Sequence, residues 1–530
     1  MMEKNPKNQY LVPIGLAIAI AIGLGMGYYL APRTNYTIAE QEGEKYQKIQ
    51  DIIEILDKRY VDTVDGERLF EESIAGMLHK LDPHSNYIPS RDLKAAQESI
   101  QGNFKGVGVR FFIIRDTICI THVIPYSPSE KAGVMAGDKI LKIDGDLVAG
   151  NGITNEKVMD LLKGNANTEV KVKFKRNNDE VELKITRGSI PISSISSAYM
   201  INATTGFVRI DAFSATTAIE FKTESLKLLQ KGMTEMILDL RSNGGGVLSG
   251  AVDIADEFLE DGLEILKTKG THTRNDVYTS KNGGLLESTK LSILINQYSA
   301  SASEILAGAI QDNDRGLIYG RRSFGKGLVQ GDFQLRDGSN LRLTVARYYT
   351  PSGRCIQKPY NGNMEDYYSD ALDRVESGEM FAPDSSLRVD SLLYYTKSGR
   401  KVYGGGGIMP DVFISFDTSF SNQYVNRLRY TPVFQTFAFD FVSDKREKWN
   451  NVESFNKQFV ANKMIITAIC KYAEKEYDIP FIQSEMTQNS KIIQQLLKQE
   501  IARQLWVENG FYYVTNKQDK EVLTVLKSKI

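Results

Sequence analysis

Two short stretches of this chain combine residue types that could carry out acyl transfer. Ser299, Ser301 and Ser303 lie within Tyr298–Glu304. There an apolar, strand-like run, Leu291–Ile295, gives way to a helical pattern from Ser301 to Asp312. A nucleophilic serine needs an exposed hydroxyl, a base within hydrogen-bond reach and donors for the oxyanion that develops. A strand-to-helix handover suits this, because free N–H groups gather at a helix start. Serine also caps helices in every fold class, so residue type leaves all three open and leaves plain capping open too. The second stretch is Arg322-Ser323-Phe324-Gly325-Lys326-Gly327-Leu328-Val329-Gln330. An exposed lysine titrates near ~10.4 and is no base at neutral pH. Burial disfavours the ammonium, so a lysine set among glycines and apolar residues can serve as one. An ordinary surface lysine is the plain alternative.

Other chemistries find less support. The chain has 4 histidines, His79, His84, His122 and His272, and no HExxH, which leaves few candidates for a His-dependent triad. His84, in Asp82-Pro83-His84-Ser85, reads as a turn residue that packs one helix pair on the next, because Pro83 disfavours helix at Asp82. The 3 cysteines, Cys119, Cys355 and Cys470, are far apart and form no CxxC, so they signal neither zinc nor a disulfide framework. No metal site and no organic cofactor is expected. Ser323 and Lys326 have S-x-x-K spacing, but the S-D-N and K-T-G that accompany it in penicillin-recognising enzymes are missing. Lys+Arg total 65 and Asp+Glu 66, a balance that gives no reason to expect nucleic acid as a partner.

The elements that must position these residues follow from pattern. At 530 residues, 42% hydrophobic and 25% charged, the chain is an α/β (α+β) multidomain protein with room for a substantial core. Residues 1–10 read as a cytoplasmic N-terminus carrying Lys4 and Lys7. Residues 11–30 are apolar apart from Tyr28 and Tyr29 and long enough for a transmembrane signal-anchor. No clean small-x-small cleavage site follows. Gly23 and Gly27 form a GxxxG pair, weakly compatible with a homo-oligomer. Residues 36–101 are helical by their three- and four-residue apolar spacing. Residues 102–188 are β-rich, with strands expected at Val107–Ile114, Ile118–Ile124, Lys139–Ile143 and Val170–Phe174 and one helix at Asn155–Leu162. Residues 189–415 alternate strands with helices. Residues 420–530 are helical again, with Ile493, Leu497, Ile501 and Leu505 on one core-facing side.

The segments Gly106-Val107-Gly108-Val109, Ser127–Gly133 and Gly137–Gly145 together resemble a PDZ domain. That resemblance implies that Gly106, Val107, Gly108 and Val109 offer N–H groups to a terminal carboxylate while the peptide adds as a strand. Ser299–Ile305, Ala307-Gly308-Ala309, Gln311-Asp312, Ser323–Gly327, Val329-Gln330 and Tyr348–Arg354 resemble the carboxy-terminal processing peptidases, or tail-specific proteases. With the PDZ-like part and Leu81–Ser85, the likeness covers roughly residues 40 to 415.

This resemblance implies a membrane-anchored serine endopeptidase that recognises protein C-terminal tails and cleaves with a Ser–Lys dyad. Ser301 would be the nucleophile, Lys326 the general base and Gln330 the residue that holds the lysine. Backbone N–H groups of Gly245 and Ala302 would serve the oxyanion. Gly244 stands where the family often has proline. Asp312 also matches a family position, and its place well along the helix favours a structural role. Protein or peptide substrates with free C-termini and the membrane are the expected partners, and the catalytic part is expected on the extracytoplasmic (periplasmic or cell-envelope) side. An inactive membrane-tethered PDZ scaffold is the alternative, against which the retention of serine, lysine and glutamine speaks.

Overall fold

The computed structural model describes residues 37–281, 283–383, 390–419 and 422–528. The expected span 11–30 and the N-terminus before it lie outside the described residues. Among the described residues no helix is long and apolar enough to cross a membrane. Helices α1 (Thr37–Arg59) and α2 (Gly66–His79) open the described chain. Basic residues in their last turns and Glu67 in the first turn of α2 match the helix dipole. A first unit ends at Leu78, and the chain from His79 onward forms a second.

The second unit begins with a turn built on Asp82, whose carboxylate accepts from His84 N and Ser85 N, both at 2.8 Å, and from Ser85 Oγ at 2.6 Å. Strand β1 (Asn86–Ile88) follows inside the stretch whose spacing predicts only helix. It exists because a distant strand accepts it, Asn86 pairing with Arg342, and periodicity carries no record of such a partner. Helix α3 (Ser90–Gln101) ends on Gly102 in the left-handed conformation.

Strands β2 (Asn103–Gly106), β3 (Val109–Ile114) and β4 (Thr117–Val123), short helix α4 (Pro128–Lys131), β5 (Lys139–Ile143), β6 (Asp146–Leu147), helix α5 (Asn155–Leu162), β7 (Glu169–Arg176), β8 (Asp179–Thr186) and β9 (Gly188–Pro191) come next. The antiparallel order is β3-β4-β5-β7-β8, with β6 on β5, so β3 is an edge. Alternation packs it: Val170, Val172 and Phe174 of β7 are buried with Ile118, Ile140 and Val158. The strand expected from Val107 starts at Val109, because Val107 and Gly108 form the turn that enters it.

The core holds β10 (Ile195–Met200), β11 (Thr205–Ile210), α6 (Thr217–Gln230), β12 (Glu235–Asp239), α7 (Leu248–Asp256), β13 (Glu264–Lys269), β14 (Asp276–Thr279), β15 (Lys290–Ile295), α8 (Ala302–Asp312), β16 (Leu317–Gly320), β17 (Leu328–Gln334), β18 (Asn340–Tyr349), α9 (Met364–Glu376), β19 (Leu393–Tyr395), β20 (Lys401–Tyr403) and β21 (Val412–Phe413). One sheet runs β10-β11-β12-β15-β16-β21, parallel from β11 to β21. The centres of its middle strands are apolar, with Met236, Ile237 and Leu238 of β12 and Ile293, Leu294 and Ile295 of β15 buried, as strands covered on both faces require. The carboxyl ends of β12, β15 and β16 therefore share one edge, where open parallel sheets carry their sites. Strands β1, β18, β13 and β14 form a second sheet, with β17 paired to β18.

Helices α10 (Gln423–Arg429), α11 (Val433–Phe441), α12 (Val452–Gln458), α13 (Lys463–Tyr477), α14 (Gln483–Gln488), α15 (Ser490–Thr515) and α16 (Lys520–Lys527) close the chain. Asn422, Asn451, Asn462 and Asp519 cap four of them through their side chains. Ile493, Leu497 and Ile501 lie in the helical core with Phe455 and Ile469. Helix α15 kinks at Trp506 and Val507, the latter at φ 49. The helices touch the PDZ-like sheet, where Phe439 packs with Ile114 and Cys119 and Arg115 pairs with Asp440 at 2.6 Å.

Candidate active site

Ser301 sits in the turn between β15 and α8 with φ 55 and ψ −114. A non-glycine residue rarely adopts that geometry, and holding it costs about 1–3 kcal/mol. A strained strand-to-helix turn of this kind pushes a serine hydroxyl outward. Neighbouring bonds hold it in place. Glu304 Oε2 accepts from Ser301 N at 2.8 Å, and the Ser301 carbonyl accepts from Tyr348 OH at 3.2 Å.

The hydroxyls of the competing serines are committed. Ser299 Oγ donates to the Leu240 carbonyl at 2.8 Å, and Ser303 Oγ to the Asn243 carbonyl at 3.0 Å, both from fully buried positions. Ser323, the serine of the S-x-x-K spacing, is equally buried and gives its hydroxyl to Glu304 Oε1 at 2.5 Å. Ser301 Oγ donates to no acceptor among the described residues; it faces only Glu304 N across the capping box, and the residue is half-buried.

Lys326 lies on the loop between β16 and β17. Its Nζ donates to Gln330 Oε1 at 3.0 Å, and Gln330 Nε2 in turn donates to the His84 carbonyl. Burial pushes the Lys326 amine below its ordinary value and Arg342 adds to the effect, while Glu304 and Asp82 pull the other way. A second buried lysine, Lys358, is committed elsewhere. Its Nζ donates to the Tyr367 carbonyl at 2.7 Å, pairs with Asp370 at 3.3 Å and lies over the rings of Phe324 and Tyr367. No hydrogen bond joins Ser301 Oγ to Lys326 Nζ in this conformation.

Glu304 ties the two loops together. Its Oε2 accepts from both Ser301 N, at 2.8 Å, and Lys326 N, at 2.9 Å, while Oε1 accepts from Ser323 Oγ and from Gly325 N at 2.7 Å. Two nitrogens bonded to one oxygen are necessarily close neighbours, so the roots of Ser301 and Lys326 are adjacent. Phe324 N also donates to the Ser299 carbonyl at 2.9 Å, a second stitch between the loops. Burial pushes the Glu304 carboxyl above its ordinary range, against the hydrogen bonds from Ser323, Lys326, Gly325 and Ser301.

Of the two expected oxyanion donors, Ala302 N–H has no hydrogen-bond partner among the described residues. Gly245 N–H instead donates to Asn243 Oδ1 at 2.9 Å within its own loop, so it reaches an oxyanion only by exchanging that bond. Gly245 does lie against the serine: at φ +99, a Cβ there would stand 2.7 Å from Ser301 Cβ. No side chain fits that contact.

His84 departs from its expected packing role. Its turn lies beside Lys326, its carbonyl receives Gln330, and its Nε2 meets Tyr367 OH at 3.0 Å. Burial, reinforced by Lys326, pushes its imidazole down to about 3, so the ring is neutral at physiological pH. A main-chain acceptor of this kind has no sequence signal. Asp312 pairs with Arg354 at 2.8 Å with both side chains fully buried, which ties α8 to the turn after β18.

In the PDZ-like sheet the carbonyls of Val107 and Gly108 point inward, accepting from Ser129 N at 2.9 Å and Ile124 N at 3.0 Å. The N–H groups of Val107 and Gly108 have no hydrogen-bond partner among the described residues. Gly108 has φ +86, and a Cβ there would meet Ser127 Cβ at 2.3 Å. Gly106 ends β2 opposite Gly188, and Val109 starts the edge strand β3.

Comparison with known families agrees with this layout. Residues 204–368 match peptidase family S41, 106–186 a PDZ domain, 31–91 the N-terminal domain of the activating protease CtpB, and 424–507 a family of unknown function (DUF8443). A carboxy-terminal-processing protease of Bartonella bacilliformis is 38% identical over 58% of this chain and 71% of its own length. A probable CtpA-like serine protease of Staphylococcus haemolyticus is 32% identical over 68% of this chain and 72% of its own. A solved photosystem II D1 C-terminal processing protease shares 26% identity over 71% of this chain and 93% of its own, with a TM-score of 0.34, too loose a superposition to transfer any placement.

Proposed function

The chain belongs to the carboxy-terminal-processing serine proteases of peptidase family S41, and from that premise we propose that Ser301 and Lys326 form its catalytic Ser–Lys dyad. It is a serine-type endopeptidase with a PDZ domain acting on protein substrates. The observation that carries the dyad is the single Glu304 oxygen that accepts from both Ser301 N and Lys326 N, next to a Ser301 hydroxyl whose proton is not given to any acceptor among the described residues.

In this reading neutral Lys326 turns from Gln330 towards Ser301 and takes its proton as Oγ attacks the scissile carbonyl. Ala302 N–H receives the oxyanion, and Gly245 N–H joins once it leaves Asn243. The protonated amine then passes its proton to the leaving nitrogen, and water repeats the cycle on the acyl-enzyme. Gln330, held by the His84 carbonyl, fixes the amine between turnovers.

A substrate tail pairs along the open edge of β3. Its terminal carboxylate is received by the N–H groups of the Gly106–Val109 turn. The apolar span 11–30, preceded by Lys4 and Lys7, supports a single-pass anchor with the catalytic part outside the cytoplasm.

A serine acylating probe tests the dyad. Labelling at Ser301 that is lost in both Ser301→Ala and Lys326→Ala, together with loss of cleavage of a protein bearing a free apolar C-terminus, supports it. Undiminished labelling in folded Lys326→Ala would refute it. Protease accessibility of spheroplasts against lysed cells tests the anchor: digestion of the catalytic part in spheroplasts supports it, and digestion in lysed cells only would place it inside.

A further inference from the structure

We infer that Glu521, in the first turn of the carboxy-terminal helix α16, is a remote positioning residue for hydrolysis, acting through Arg321 and Arg241 on the loops that carry the site. The inference rests on the reading of Ser301 and Lys326 given above. It concerns a part of the chain outside the peptidase match, which ends at residue 368.

Two guanidiniums stand at the roots of the site loops. Arg241 follows β12 and leads into the glycine run that reaches Gly245. Arg321 follows β16 and leads into Ser323–Lys326. Glu521 Oε1 pairs with Arg321 Nη1 at 2.8 Å, and its Oε2 lies 3.5 Å from Arg241 Nη1. Asp519 Oδ2 holds the same Arg241 nitrogen at 2.9 Å, while Asp519 Oδ1 caps α16 by accepting from Glu521 N at 2.8 Å. One helix start therefore grips both loops.

The nucleophile loop, which lies between them, is included. Arg321 Nε donates to Gln297 Oε1 at 3.3 Å, and Ser242 N, next to Arg241, donates to Asn296 Oδ1 at 2.9 Å. Gln297 and Asn296 lead into Ser301. The side chains of Glu521, Arg241 and Arg321 are 13%, 12% and 5% exposed, so solvent screens these contacts little. Against an apolar replacement of both partners a buried ion pair contributes little net stability, because desolvation offsets the attraction, whereas removing one partner alone leaves a costly buried charge. What it supplies is direction, since a guanidinium bonded on several sides has one orientation. Anchorage of α16 has a separate source, the burial of Val522 and Val525 with Tyr199, Phe207 and Tyr319. Val525 can thus be changed to lower stability without touching the ion pairs.

Full-length Glu521→Gln, Val525→Ala, Arg321→Gln, Ser301→Ala and the Glu521→Gln/Arg321→Gln double variant are compared on a tail-bearing protein substrate, with Tm measured for each. Glu521→Gln is expected to lower kcat about tenfold with KM within about twofold, the pattern of an interaction used in the transition state. Both Glu521→Gln, which leaves the buried Arg321 guanidinium short of a partner, and Val525→Ala are expected to lower Tm, but Val525→Ala is expected to keep wild-type kcat at temperatures where it is folded. The double variant is expected to lose clearly less than the product of the two single losses, because residues that act partly through one another are not additive. Wild-type kcat in Glu521→Gln overturns the inference, as does a loss that Val525→Ala matches. Activity surviving in Ser301→Ala would instead overturn the assignment of the nucleophile, a separate failure.

Discussion

Replacing Glu304 with glutamine changes one atom and removes a charge from the centre of the site. The carboxylate accepts four hydrogen bonds, two on each oxygen. A glutamine offers one accepting oxygen, so its NH2 must face two donors. The less costly orientation turns the NH2 to Ser323 and Gly325, because the Ser323 oxygen, which already accepts from Ile408 N at 2.6 Å, can accept a second bond, leaving Gly325 N–H and the Ser323 proton without their carboxylate acceptor. Ser301 N–H and Lys326 N–H then keep an acceptor, now neutral. Bonds to charged groups are worth about 1.5–3 kcal/mol against about 0.5–1.5 kcal/mol for neutral ones, so each weakens by about 1 kcal/mol. Stability is expected to change less than the orphaned N–H suggests, because burial already disfavours the Glu304 carboxylate. The strained Ser301 turn, by contrast, loses part of what holds it. If all of that loss, about 2 kcal/mol, falls on the geometry of attack, kcat drops about thirtyfold. Stopped-assay kcat and the rate of Ser301 acylation should fall together, with Tm nearly constant. A folded Glu304→Gln enzyme with kcat within about twofold of wild type would refute the role of this carboxylate.

Lys326→Met should abolish cleavage yet raise stability near neutral pH by about 0.5–2 kcal/mol, as sites tuned for chemistry often allow. The folded-state value of Lys326 lies below its unfolded one, so the wild type gains stability as pH rises between them and its deficit against methionine shrinks; thermal melts across pH check the sign. Gly245→Ala should lose at least about a hundredfold in kcat, the scale of losing one oxyanion donor, because its Cβ would strike Ser301 and displace the Gly245 N–H. Gly244→Ala, with nothing within 4 Å, should stay near wild type in the same assay. Asp312→Asn leaves the Arg354 charge buried and half-partnered, so melts should show a loss of about 3–5 kcal/mol, with residual kcat in the folded fraction unchanged.

Much of the fold was legible because its elements carry local signals. The apolar runs at β12 and β15, the helix at Asn155–Leu162 and the face of Ile493, Leu497 and Ile501 all appear where their patterning puts them. What could not be read depends on distant partners. Strand β1 is made by β18, and the place of His84 beside Lys326 is made by a carbonyl that any residue would supply. The three serines of the turn are identical as residue types, and only the destination of each hydroxyl separates them. Glu304 reads as an ordinary capping-box residue, since that motif also places a glutamate three after a serine. Its second pair of bonds, to Ser323 and Gly325, closes a gap in sequence that no spacing rule spans. The kink at Val507 and the grip of α16 on Arg241 and Arg321 are equally products of packing.

The most direct test measures the basicity of one amine. Competitive acylation of lysines in folded Ser301→Ala protein, quenched across pH and read by mass spectrometry, gives a titration curve for Lys326 alongside exposed lysines of the same chain. The Lys326 midpoint is expected clearly below the ~10.4 of its exposed neighbours, matching the pH at which Ser301 acylation rises in the active enzyme. A Lys326 midpoint at or above that of the exposed lysines would contradict it.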